Sequence, residues 1–222
     1  MRISPEMLSN CALFDGVRPE DRVPMLSCLG AKVVEVKKNQ AIFSEGDPAD
    51  TVGIVLEGSV QLIREDYYGN RSIVARIGPS GIFGESFACS DVPTFPISVV
   101  AVEDSRVMLI ASQRITVTCC NACEFHNRMI FNLLKIIANN NLVLTQKIDV
   151  TSRRTTREKL LAYLTAQARA TGSDSFDIPY DRQGLADYLE VERSAMSSEI
   201  GKLKKDGIID CDRSHFRLLQ RM

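Results

Sequence analysis

From Ala31 to Ala111 the apolar residues come in short β-branched runs separated by Gly, Pro, Asn and Asp. Lys32–Val36, Ala41–Phe43, Val52–Leu56 and Val60–Ile63 read as strands, with Glu45-Gly46-Asp47-Pro48 and Glu57-Gly58-Ser59 as the turns between them. Gly69-Asn70, between Tyr67-Tyr68 and Ser72–Ile77, predicts a hairpin. Gly78–Gly81 turns the chain again, and Ile97–Ala101 and Arg106–Ala111 are further strands. Many short strands at this spacing predict an all-β barrel or sandwich. The segment before them, residues 1 to 30, reads as amphipathic helix interrupted by Pro19 and Pro24.

The period then changes. From Glu124 to Val150 an apolar stripe of Ile130, Leu133, Ile137, Leu144 and Ile148 predicts one long helix with Asn139, Asn140 and Asn141 in its middle. An Asn among apolar seam positions is a register device in paired helices. The stripe therefore suits a dimer seam, and equally a core helix folded back on the barrel. Thr151–Arg157 reads as a hinge, Glu158–Arg169 as a helix and Phe176–Pro179 as a short strand. Asp181 is an N-cap residue ahead of Leu185, Ala186 and Leu189. Glu190-Val191-Glu192 breaks that helix, and Met196, Ile200 and Leu203 recur at i, i+4, i+7 on a second one. Ile208–Cys211 and Phe216–Leu219 form a terminal hairpin around Arg213.

Two short helices about a tight turn are a helix-turn-helix, whose second helix fits the DNA major groove. The outward face of that helix carries Arg193, Ser194, Ser197, Ser198, Gly201, Lys204 and Lys205, small in the middle and basic at both ends. Small side chains let the backbone approach the bases, and Arg193 is placed to donate bidentately to a guanine edge. Arg182 and Gln183 at the start of the first helix, and Arg213 at the hairpin tip, suit phosphate contacts. The alternative from the residues alone is a solvated helical hairpin.

The stretch from Arg182 to Ile209 resembles the winged helix-turn-helix of the cyclic-AMP receptor protein and fumarate-nitrate regulator (CRP/FNR) family of bacterial transcription factors. Ile42–Asp50, Leu56–Val60 and Ile82–Glu85 are similar, in order and spacing, to the cyclic-nucleotide-binding β-roll that precedes it in that family. The resemblance implies an α+β fold: a jelly-roll-like β-barrel effector domain over 1–123, a dimerisation helix over 124–150, and a winged helix-turn-helix over 151–222. It implies a cytoplasmic homodimer that reads a palindromic double-stranded DNA operator and works with RNA polymerase. Relatives that read the best-known half-site use Arg, Glu and Arg on the second helix. Here these positions hold Arg193, Ser194 and Ser198, which puts that target sequence in doubt.

Relatives that bind cyclic AMP hold it with a Gly-Glu pair and, about ten residues on, an Arg followed by Ser or Thr. Gly84-Glu85 is present, but the Arg position falls on Phe95 and the next on Pro96. Glu85 to Ser98 contains no Lys or Arg, and a buried phosphate without a cation carries a desolvation penalty of several kcal/mol. Cyclic AMP is therefore not expected to bind. Phe87, Phe95 and Ile97 suit either a pocket for a neutral ligand or a pocket collapsed into core.

Composition adds bounds. A hydrophobic share of 45%, a charged share of 25% and a net charge of −1 describe an ordinary globular chain. Lys and Arg outnumber Asp and Glu 13 to 11 from Thr151 onward and are outnumbered 14 to 17 before it, so the basic excess lies with the helix-turn-helix. No membrane span or signal peptide is legible. No catalytic constellation is either, so an enzyme is not expected. A ligand-binding signalling module that does not read DNA remains the rival. Three of the seven cysteines, Cys119, Cys120 and Cys123, cluster near His126. That spacing suits a metal or an iron-sulfur cluster, and equally incidental thiols.

Overall fold

The computed structural model describes residues 8–117 and 124–220. Its contacts divide the chain into two units, Met1–Tyr68 with Val74–Asn141 and Gly69–Ile73 with Leu142–Met222.

The first unit is built on α1 (Pro19–Cys28) and strands β1 (Lys32–Val36), β2 (Ala41–Phe43), β3 (Thr51–Glu57), β4 (Val60–Glu65), β5 (Arg71–Ile77, which belongs to this unit from Val74 on), β6 (Ile82–Phe83), β7 (Ser98–Ala101) and β8 (Ser105–Ala111). A short helix α2 (Glu85–Ala88) follows β6, and α3 (Ser112–Thr116) follows β8. The strands form two four-stranded sheets, ordered β1-β8-β3-β6 and β2-β7-β4-β5. They make a jelly-roll-like pair of sheets rather than a closed barrel. Pro19 occupies the first turn of α1, where a missing N–H costs nothing, so it starts the helix; Pro24 lies inside it.

Strand β3 reads as a nearly continuous apolar run because both of its faces are covered. Val52, Ile54 and Leu56 pack with Met108 and Ile110 of β8, with Met25 of α1 and Leu29 just after it, and with Met129 and Leu133. Val55 on the other face packs between the sheets with Phe43, Val60, Phe83, Phe95 and Val99. A Cβ at Gly53 would lie 2.1 Å from the Phe83 ring, so only glycine leaves room for that phenyl group.

Helix α4 (Glu124–Thr151) is 28 residues long, or about 42 Å. The division between units falls within it, after Asn141, whereas the sequence reading made the whole helix a segment of its own.

The second unit contains α5 (Thr156–Thr171), β9 (Ser175–Asp177), α6 (Arg182–Leu189), α7 (Arg193–Lys205), β10 (Ile209–Asp212) and β11 (His215–Leu218). The three strands form an antiparallel sheet ordered β10-β11-β9. Leu160, Leu164, Leu185, Leu189, Met196, Leu203 and Phe216 are fully buried at its centre. Helix α5 opens on a reciprocal cap: the Thr155 side chain accepts from the Glu158 N–H, and the Glu158 carboxylate accepts from the Thr155 N–H.

Candidate DNA-reading surface and effector corner

Local chemistry sets the helix-turn-helix. Asp181 caps α6 by accepting from the Gly184 N–H at 2.7 Å. The turn is made by Glu190 in the left-handed region, at φ +55°, a conformation that costs a non-glycine residue about 1 kcal/mol or more. It is held there by Lys159, whose ammonium donates to the carbonyls of Leu189 and Glu190 at 3.3 Å each. Met196, Ile200 and Leu203 of α7 face inward as expected.

On the outward face Arg193, Ser194, Ser197, Ser198, Gly201 and Lys205 are exposed. Lys204 is exposed too, but its ammonium donates to the Cys211 carbonyl at 2.9 Å and lies 3.0 Å from the Asp210 carboxylate. The hydrogen bond to Asp210 holds Lys204 above the usual lysine value and Asp210 below the usual carboxylate value. Lys204 therefore braces the β10–β11 wing against α7. Arg182 is half-buried, donates to the Cys211 sulfur at 3.3 Å and stacks over the Phe216 ring at 5.1 Å, so it too anchors the wing. Gln183 is exposed and donates to Asp187 at 2.7 Å. Arg213 sits at the wing tip, exposed, at φ +51°; a two-residue hairpin loop favours Gly or Asn there.

Two features escaped the sequence reading. A cleft of about 550 Å³ runs beside the recognition face, lined by Thr155, Thr156, Arg157, Ser198, Glu199 and Lys202 among others. The Thr155-x-x-Glu158 pattern marks the helix start that forms its wall. The second feature is a hydrogen-bonded chain from Ser175 through His215, at 2.9 Å, to Asp177, at 3.1 Å. Its spacing is that of a catalytic triad. It arises because His215 pairs directly with Asp177 across β11 and β9, and all three residues lie exposed on a sheet surface rather than in a cleft.

The effector corner is filled. Phe95 is 1% exposed; it stacks on Phe43 at 4.5 Å and meets Phe87 edge-on at 6.0 Å. Ile97 is buried, and Phe87 is half-buried against the same core. Gly84 turns the chain at φ +80°, and a Cβ there would come within 3.4 Å of both Phe43 and Phe95. Glu85 is the first residue of α2 and the acid in its first turn. Its buried carboxylate accepts from the Ser86 hydroxyl at 3.0 Å and from the Asn140 amide at 2.8 Å. A phenyl group, packed in the core, stands at the position where the resemblance puts the phosphate-neutralising arginine.

The predicted stripe on α4 splits between two faces. Leu133 is buried against the β-sandwich, with Ile136 and Ile137 packed alongside. Ile130 and Asn140 are half-buried, whereas Leu144 and Ile148 are exposed. The open face carries Phe131, Leu134, Leu142 and Val143 as well, each more than half exposed. Asn132 also faces inward, donating to the Leu13 and Asp15 carbonyls at 3.0 and 2.8 Å.

Cys119, Cys120 and Cys123 lie outside the described residues. His126 is buried, with Nε2 3.3 Å from the Arg114 carbonyl. Among the described residues no group of three or more His, Cys, Asp or Glu side chains is arranged to hold a metal. Cys11 is buried, and burial pushes its thiol up to about 11. Among the described residues no helix is long and apolar enough to cross a membrane.

Comparison with known proteins agrees with both halves of this description. Residues 33–119 match the cyclic nucleotide-binding domain family, and residues 158–222 match the Crp-like helix-turn-helix domain family. The chain is 30% identical over 80 residues to the CRP-like cAMP-activated global transcriptional regulator of Mycobacterium tuberculosis, a match spanning 36% of this chain and 35% of that relative. It is 22% identical over 189 residues to the transcriptional activator protein anr of Pseudomonas aeruginosa, spanning 83% of this chain and 75% of that one. The fold is similar to that of FixK2 from Bradyrhizobium japonicum, with a TM-score of 0.67 and 21% identity over 86% of this chain and 93% of that structure.

Proposed function

The chain belongs to the CRP/FNR family of transcription regulators, which are not enzymes, and we propose that it is a homodimeric, sequence-specific reader of a palindromic DNA operator whose effector is not cyclic AMP. The observation that carries the reading is the exposed face of α7: Arg193 at its start, Ser194, Ser197, Ser198 and Gly201 along its middle, and Lys205 at its end. The small centre admits close approach to base edges, Arg193 suits a guanine, and the basic ends suit phosphates. Arg182 and Lys204 support the reading indirectly, by fixing the wing that presents Arg213.

The open apolar face of α4 supports self-association. Phe131, Leu134 and Ile148, with Ala138, Asn141 and Thr145 between them, are all exposed and follow alternating steps of three and four residues. That is the spacing that seam residues of a two-stranded coiled coil follow. A two-fold dimer sets two recognition helices about one DNA turn, 34–36 Å, apart. Such a protein acts in the cytoplasm and has RNA polymerase as its downstream partner.

The test is a gel shift on the DNA upstream of the protein's own gene at two salt concentrations. A shift that weakens steeply with salt supports the reading, because neutralised phosphates release counterions. Failure to shift any DNA favours a signalling module that does not read DNA. Calorimetric titration with cyclic AMP is expected to give no heat of binding at micromolar concentrations; micromolar affinity overturns the reading of the effector corner.

A further inference from the structure

Glu85 is a carboxylate 4% exposed, in a stretch from Glu85 to Ser98 that has neither Lys nor Arg. Leaving such a group without donors carries a penalty of several kcal/mol, so whatever satisfies it is held firmly. Its donors are the neighbouring Ser86 hydroxyl and the Asn140 amide, which reaches across from α4, 55 residues further along the chain. The corner beside it is filled by Phe95, and the donor belongs to the protein.

We infer that Asn140 is a clasp: its amide satisfies Glu85 and ties the middle of α4 to the β-sandwich. Leu133 and Ile137, two turns and one turn earlier on α4, pack toward the same sandwich, so the clasp adjoins an apolar contact. An effector group that donates to the same carboxylate oxygen competes with Asn140 for it. A clasped α4 occupies fewer positions than a free one. In a dimeric reader this lowers the entropic cost of holding two recognition helices at the operator spacing. That last step rests on the DNA-reading function proposed above; the clasp itself does not.

The test is a set of four full-length variants: Asn140→Asp, Asn140→Leu, Glu85→Gln and the pair Glu85→Gln with Asn140→Asp. Each is followed by hydrogen exchange at residues 82–95 and 131–145 and by operator binding without added ligand. Asn140→Asp sets two carboxylates face to face; it is expected to raise exchange in both segments about tenfold and to weaken operator binding about tenfold, within the usual range of coupling between sites. Asn140→Leu removes the donor without adding charge and moves both readouts the same way. Glu85→Gln alone stays within about threefold of the parent, because an amide oxygen still accepts from Asn140. The paired variant returns to within about threefold, since amide and carboxylate have traded places and the bond re-forms in reverse. Exchange unchanged in Asn140→Asp, or a paired variant no better than Asn140→Asp alone, overturns the clasp. If the parent protein binds no DNA, the regulator reading fails while the exchange measurements still decide the clasp.

Discussion

Replacing Phe95 with Ala asks whether the effector corner is core or vacant pocket. The phenyl group is 1% exposed and meets two other rings, Phe43 at 4.5 Å and 11° between planes and Phe87 at 6.0 Å, and Phe43 in turn meets Phe83 at 5.7 Å. The flanking chain is fixed as well, since the Phe95 N–H donates to the Asp47 carbonyl and its carbonyl accepts from the Gly46 N–H. The surroundings therefore have little freedom to collapse, and a buried Phe→Ala change in such a site costs about 3–5 kcal/mol. With a urea slope of about 2 kcal/mol per molar, the unfolding midpoint of the β-sandwich falls by about 1.5–2.5 M. The chain has no tryptophan, and its buried tyrosines, Tyr163 and Tyr180, belong to the other unit. The assay is therefore hydrogen exchange in a urea series, read peptide by peptide across residues 82–101. A loss under about 1 kcal/mol would mean that the ring borders a void or solvent, and the corner would again be open to a ligand.

Three further outcomes follow from the geometry. Leu134→Glu with Ile148→Glu places charges on the open face of α4 and is expected to weaken dimerisation at least about 100-fold, or about 2.7 kcal/mol, by light scattering across a dilution series; Leu133→Glu should instead unfold the β-sandwich. Glu158→Gln removes the carboxylate from the α5 cap. The Thr155 N–H holds that carboxyl below its ordinary value of about 4.5, so its stabilising effect is present above that pH and is lost as the pH falls through the lower folded value. Parent and variant should therefore differ in melting temperature at pH 7 and converge toward pH 3. Lys204→Ala removes the brace to Asp210 and Cys211, and faster exchange is expected in β10 and β11 with α7 unchanged; equal exchange in the wing would refute the bracing role.

The helix-turn-helix was legible because its signals are local. Asp181, the apolar spacing from Leu185 to Leu203 and the break at Glu190–Glu192 each act within one or two turns, and the folded helices start and stop there. The β-sandwich was legible from its turns. Its central strands were less so, because β3 and β8 face two cores and lack the alternation that marks a half-buried strand. Helix α4 misled for a related reason. It is apolar on two faces, and spacing alone does not say which one meets the chain's own core, so Leu133 and Ile137 were grouped with Leu144 and Ile148. Lys204 and Arg182 look free in sequence; their partners on β10 and β11 are fixed only by tertiary packing. The missing arginine at Phe95 was readable, but the donor to Glu85, Asn140, lies far away in the chain.

The most direct measurement compares the parent protein with Arg193→Ala on its operator and on a scrambled duplex of equal length, by fluorescence anisotropy at a fixed salt concentration. A bidentate base contact is worth about 1–3 kcal/mol, so operator affinity should fall about 5- to 150-fold while binding to the scrambled duplex changes little. An equal loss on both sequences would make Arg193 a phosphate contact. No loss on either would contradict the assignment of α7 as the helix that reads DNA.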